Sequence, residues 1–173
     1  VSVALATSAR VVVPAVPPNW SQSRGHSARR DAEKAVWRDL AWRMAMSARH
    51  AAGWPAPVPC EPPARRYLEV AVYKRRPLYD GDGCVAALKP LIDGACGRTT
   101  FPGRNGVPGW TRPGALAWDD SPDWLGLITA PADMQRIVAT AADERVVLAV
   151  HLVDPRRPIE VESKAFLAAV EET

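Results

Sequence analysis

Between residues 67 and 94 the chain changes period, and that change restricts its architecture. The segment "YLEVAVYK" (67–74) alternates, with Leu68, Val70 and Val72 on one face, and so reads as a half-buried strand. It leaves through Lys74, Arg75 and Arg76 into "YDGDG", then enters the apolar run "CVAALKPLIDG". The spacing predicts a helix over 83–95 with Asp82 as its N-cap. Pro90 inside it cannot donate to the carbonyl of Ala86, which predicts a kink or restart. A strand feeding a helix in this way implies a mixed α+β fold in which the polar turn opens at a sheet end.

The rest of the chain supplies the partners. Residues 11–16 are β-branched and read as a strand that ends at "VPPNW", because Pro17 and Pro18 cannot donate to a ladder. Ser27 would cap a helix over 28–52. Val36, Leu40 and Met44 share one stripe of it, and Arg30, Lys34 and Arg38 share another. Gly53 and the proline-rich segment behind it end that helix. Residues 96–114 are rich in glycine and proline without periodicity and read as a long surface loop. A strand at 124–129, a short helix at 132–142, an apolar strand at 146–153 suited to a sheet centre and an amphipathic helix at 160–172 complete the expectation. Residues 1–173 are expected to form one domain, a small mixed sheet packed with helices.

Composition narrows the class. A chain of 173 residues can bury a core without disulfides. With 47% apolar and 24% charged residues it resembles an ordinary globular protein. No run approaches the roughly 20 apolar residues that span a bilayer, so no membrane partner is expected. The apolar first residues lack a basic leader and are interrupted by Thr7, Ser8 and Arg10, which suits a strand better than a signal peptide. The three cysteines, Cys60, Cys84 and Cys96, form no CxxC pair; they argue against a disulfide framework or zinc site and suit a reducing cytoplasm. Charge is uneven along the chain. Residues 1–76 carry 13 Lys/Arg against 5 Asp/Glu, and residues 77–173 carry 9 against 14. A basic half beside an acidic half suits a polyanion-binding surface next to a cation site, although solvated surface charge would give the same count.

The acidic half concentrates its charge in two places. In an extended turn Asp80 and Asp82 fall on one face, and "AWDDSPDW" (117–124) adds Asp119 and Asp120. Carboxylates this close repel unless a cation neutralises them or one takes up a proton. Oxygen-only ligands favour a hard ion, Mg²⁺ or Mn²⁺. Lys89, two helical turns beyond Asp82, lies on about the same face, where it would stabilise charge developing on a phosphoryl group. The bland alternative is a pair of capped acidic turns.

Taken in order, "DGDGCVAALKPLIDG" and "WDDSP" resemble the signature of the RusA-type Holliday-junction resolvases of phages and prophages. That family shows an Asp-x-Asp-Asn turn, a helix carrying a lysine and ending in Asp-Gly, and a downstream Asp-Asp-Ser. "VPPNW" is similar to its Pro-Pro-x-Asn turn, and the likeness runs from Val11 to Asp123. The resemblance implies a RusA-like homodimer that hydrolyses phosphodiesters at four-way DNA junctions, in recombination, repair or phage DNA processing. It places the protein in the cytoplasm of a bacterial host or phage-infected cell. It implies Asp80, Asp82 and Asp120 as metal carboxylates with Asp119 as a supporting acid at the metal, Lys89 as the catalytic lysine, and Mg²⁺ or Mn²⁺ as cofactor. Asn19, Arg24, Arg29, Arg30, Lys34, Arg38, Lys74, Arg75 and Arg76 would contact DNA, setting position rather than sequence. Two departures stand out: Gly83 replaces the family's asparagine, and the segment between Gly94 and Trp118 is longer than usual.

Competing motifs are weaker. Asp123, Glu162 and Lys164 imitate a PD…ExK nuclease signature, but the last two fall in a segment of helical rather than strand periodicity. His26, His50 and His151 are isolated in sequence, and His151 suits a hydrogen-bonded core histidine. Trp37 and Trp42 suit a core or dimer interface, whereas Trp20, Trp110 and Trp124, near loops, could stack on bases. The alternative function is a non-catalytic DNA-binding phage protein that keeps the fold.

Overall fold

The computed structural model describes residues 6–18, 20, 27–59, 65–77 and 81–156, with Gly81 and Asp82 described by their backbone. Chain order is β1 (Ser8–Val13), α1 (Ser27–Ala51), β2 (Arg66–Lys74), α2 (Gly81–Cys96), β3 (Thr99–Phe101), β4 (Trp110–Arg112), β5 (Leu125–Leu127), β6 (Gln135–Ile137) and β7 (Arg145–His151). Short 3-10 turns occupy Pro131–Asp133 and Ala141–Asp143. The protein is mixed α+β, a sheet packed with two helices.

Alternation builds the sheet. Ala9, Val11 and Val13 of β1, Leu68, Val70 and Val72 of β2, and Val146, Leu148 and Val150 of β7 are buried and belong to one core. The apolar run around residue 148 takes the central position expected of it: β7 lies between β1 and β2, antiparallel to both. The opposite edge of β2 pairs in parallel with β5 at its start and with β6 at its end. Ala87, Leu88, Leu91 and Ala95 of α2 are also fully buried in that core. Removing each such Leu or Val side chain from water contributes about 1.5–3 kcal/mol.

Helix α1 does not bury the stripe its periodicity suggests. Val36 and Leu40 are 69% and 39% exposed, and the fully buried residues are Ala41 and Ala45. The cause is close packing against α2. A Cβ on Gly94 would stand 2.1 Å from the Arg38 carbonyl oxygen and 2.9 Å from Ala41 Cβ, so the backbones meet where only small residues fit. The helix starts at Ser27 and ends as expected at Gly53, whose φ of 71° closes a Schellman motif: Trp54 N–H donates to Arg49 O and Gly53 N–H to His50 O, both at 3.0 Å.

Three other expectations change. Helix α2 begins at Gly81, so Asp82 lies inside its first turn, and the helix runs unbroken through Pro90. Residues 96–114 are a β3–β4 hairpin rather than a structureless loop. Its tip is Asn105-Gly106, both at positive φ (51° and 78°), and Val107 N–H donates to Arg104 O at 3.0 Å. Residues 132–142 form the β6 strand between two 3-10 turns instead of a helix, and β6 gains its ladder from the end of β2. The segment 160–172, with Glu162 and Lys164, lies outside the described residues. Among the described residues no helix is long and apolar enough to cross a membrane.

Candidate active site around Lys89

The hairpin returns the chain across the end of α2. Leu116 N–H donates to Ala95 O at 2.9 Å, Ala115, Leu116 and Ala117 are buried, and Gly114 packs so closely that a Cβ there would stand 2.2 Å from Cys96 C. This return carries Asp119 and Asp120 to the C-terminal half of α2, where Lys89 and Asp93 project from successive turns.

Lys89 is the hub. Its Nζ lies 2.6 Å from Asp93 Oδ1 and also pairs with Asp120 Oδ2. The Lys89 side chain is 55% exposed, whereas those of Asp93 and Asp120 are 23% and 22% exposed. Asp119 has both oxygens engaged: Oδ2 pairs with Arg98 at 2.8 Å and Oδ1 accepts from the Asp120 N–H at 2.9 Å. That arrangement ties Asp119 to Arg98 and to the Asp120 backbone. Arg38, expected on a phosphate-facing stripe, instead turns towards Asp93 Oδ2 at 3.9 Å.

The charges divide the two central carboxylates. Burial pushes the Asp93 carboxyl above its ordinary value; Lys89 opposes the shift and the adjacent Asp120 reinforces it. Burial acts on Asp120 in the same direction, but there the hydrogen bond and charge of Lys89, with the side-chain contacts to Asp93 and Asp119, outweigh it and hold the group below its ordinary value. Burial would lower the Lys89 pKa, yet its bonds to Asp120 and Asp93 raise it, so the ammonium stays charged. Of the two, Asp93 is the group that takes up a proton more readily as pH falls, and Asp120 the one that keeps its charge longer. Cys96, buried beneath them, has its thiol pushed far up by burial and by both aspartates, and is inert as a nucleophile.

Asp82 is set apart from this group. It lies eleven residues before Asp93 on the same helix, which at the α-helical rise separates the two backbones by about 16 Å along the axis. The Asp120 carboxyl carbon, in contrast, would be 3.3 Å from a Cβ on Gly97, just past the far end of α2. One ion with ligand bonds of about 2.0–2.1 Å cannot bridge that gap, so the expected convergence of Asp82 with Asp120 is not met while 81–96 is helical. Asp80 lies outside the described residues. Among the described residues no group of three His, Cys, Asp or Glu side chains is placed to hold a metal ion. Asp93 and Asp120 are the two carboxylates brought together here, and the Lys89 ammonium pairs with both. Asp93 Oδ1 is buried, and its partner is the Lys89 ammonium at 2.6 Å.

The other expected contacts are scattered. Lys74, Arg75 and Arg76 line one open hollow with Glu144, which pairs with Arg75 Nε at 3.2 Å. On α1, Arg29 pairs with Glu33 at 3.0 Å and Lys34 Nζ lies 6.0 Å from the centre of the Trp20 ring; Arg30 lies on the same helix. Trp20 is buried, and Trp124 packs obliquely on Trp118 at 6.4 Å, which leaves Trp110 as the exposed ring of the three. His151 meets Glu69 at 3.3 Å from within the sheet. Asn19, Arg24, His26 and Cys60 lie outside the described residues. The site residues that sequence reasoning missed are Asp93 and Arg98. Asp93 was open to discovery as the i+4 neighbour of Lys89; nothing in the sequence marks Arg98.

No family model matches the chain, and no curated protein or solved structure matches it.

Proposed function

We propose that this protein is a metal-dependent, structure-selective endodeoxyribonuclease of the RusA type, acting as a homodimer on four-way DNA junctions. The observation that carries the reading is the meeting of Asp120 with Lys89, 31 residues away in sequence, and with the neighbouring Asp93. Lys89 and Asp120, which the motif order singles out, are in contact, and that contact supports the reading.

Asp93 and Asp120 would hold the ion, Mg²⁺ or Mn²⁺, with Asp119 orienting Asp120. Bound there, a divalent ion would supply a water of lowered pKa and draw charge from the phosphodiester. Lys89, kept protonated, offers a positive charge to the phosphoryl oxygens. Lys74, Arg75 and Arg76, at the end of β2, would fix the backbone of the DNA. Asp80 and Asp82 belong to the proposal through the resemblance. Asp82 reaches the same ion only if the turns of α2 ahead of Lys89 unwind. Gly83 and the missing Pro90 donor make that half of the helix its weaker half.

The second reading, a non-catalytic DNA-binding protein, is favoured by the distance of Asp82 from Asp120 and by the ammonium already seated between the two carboxylates. Incubating the protein with a synthetic four-way junction in Mg²⁺, and scoring binding and cleavage separately, distinguishes the two.

A further inference from the structure

The β3–β4 hairpin, part of the segment that is longer here than in the family, is a built object rather than a slack insertion. Phe101 and Trp110 are directly opposite in the antiparallel register, and their rings stack at 4.1 Å with 13° between planes. Arg112 continues the contact inward. Its guanidinium lies 5.5 Å from the Phe101 ring and 4.4 Å from the Trp42 ring of α1, and it pairs with Asp39 at 3.3 Å. Trp42 Nε1 donates to Pro113 O at 3.4 Å. A chain of planar groups therefore runs from α1 out to Trp110, which is 56% exposed.

Packing does not explain why the series ends in a large ring left open to water. A cross-strand aromatic pair stabilises a hairpin by about 0.2–1 kcal/mol, and an aliphatic residue at 110 would give much of that. Residues 97–116 contain three arginines and no acidic residue, with Arg104 exposed at the tip. The root of the hairpin is fixed to the candidate site, because Arg98 pairs with Asp119. A rigid, flat, exposed ring on a hairpin whose tip carries an exposed arginine, anchored to the candidate site, suits an unstacked nucleobase and a nearby phosphate.

We propose that Trp110 is a stacking platform for a base unstacked at a DNA branch point, with Arg104 on a nearby phosphate. The inference rests on the nuclease reading given above and adds to it a means of preferring branched over linear DNA.

The test measures affinity by fluorescence anisotropy with Ca²⁺ in place of Mg²⁺, using two labelled probes: a four-way junction and a linear duplex of equal length. Trp110→Leu keeps an apolar cross-strand partner for Phe101 but removes the ring. It should weaken junction binding by about 5- to 100-fold, the loss expected of one base–aromatic stack, and leave duplex binding unchanged. Trp110→Phe should recover most of the loss. Arg104→Ala should reduce the log–log salt slope by about 1. Unaltered junction affinity in Trp110→Leu, or an equal loss on both probes, overturns the proposal while leaving the nuclease reading intact. Wild-type protein that binds neither probe contradicts the nuclease reading itself.

Discussion

Lys89 Nζ stands 2.6 Å from Asp93 Oδ1, one turn along α2, and the same ammonium pairs with Asp120 from a segment that returns after the hairpin. One cation thus satisfies two carboxylates that would otherwise repel. Removing it should expose that repulsion. Lys89→Met is expected to lower stability by about 1–2 kcal/mol at pH 7, between the values typical of exposed and buried pairs. Adding Mn²⁺ should raise the melting temperature of the variant more than that of wild type, since the freed oxygens then bind the ion. An equal shift in both proteins would mean that the pair does not take a metal.

The two carboxylates should behave oppositely with pH. The folded-state pKa of Asp93 is raised above its ordinary 3.8, so the native state holds that proton more tightly than the unfolded chain. Its contribution therefore falls as pH rises from 3.8 through the raised value. Asp120 is lowered, so its contribution is present above 3.8 and is lost as pH falls through the folded value. At pH 7, Asp93→Asn should be neutral or stabilising and Asp120→Asn destabilising, as read from urea midpoints. The reverse order would contradict this assignment of the proton.

Gly94 sets the distance between the helices. Gly94→Ala places a methyl group against the Arg38 carbonyl, where a Cβ would be only 2.1 Å away. The helices must separate, and a loss of about 1–3 kcal/mol is expected in chemical denaturation. A variant as stable as wild type would show that α1 and α2 are less tightly apposed.

The alternating strands were legible because burial on one face forces a period of two, and Leu68, Val70 and Val72 show it without ambiguity. The stripe on α1 misled because hydrophobicity ranks Val36 and Leu40 above Ala41 and Ala45, whereas close helix contact selects for small volume. The hairpin was legible in principle: Asn105-Gly106 is the dipeptide that a two-residue turn with positive φ at both positions favours. Its short strands and flanking prolines hid it. Of the site, Lys89, Asp119 and Asp120 could be read from their motifs. Asp93 was legible only as the i+4 partner of Lys89; its meeting with Asp120 depends on the return path through Leu116, and no local pattern encodes that path.

The basic hollow at the end of β2 offers a separate check. Replacing Lys74 and Arg76 with alanine should reduce the log–log salt slope of junction binding by about 2 without changing fold or metal response. An unchanged slope would return these residues to ordinary surface charge.

The most direct measurement is cleavage of a labelled four-way junction and a linear duplex by wild-type, Asp82→Asn and Asp120→Asn protein, with Mg²⁺ and with EDTA. The account predicts metal-dependent cutting of the junction in preference to the duplex. Asp120→Asn should cut about 100-fold more slowly or worse while still binding the junction, and Asp82→Asn should do the same if α2 unwinds to bring Asp82 to the ion. Wild-type protein that binds the junction yet never cuts it in Mg²⁺ or Mn²⁺, or Asp120→Asn that cuts at the wild-type rate, would contradict it.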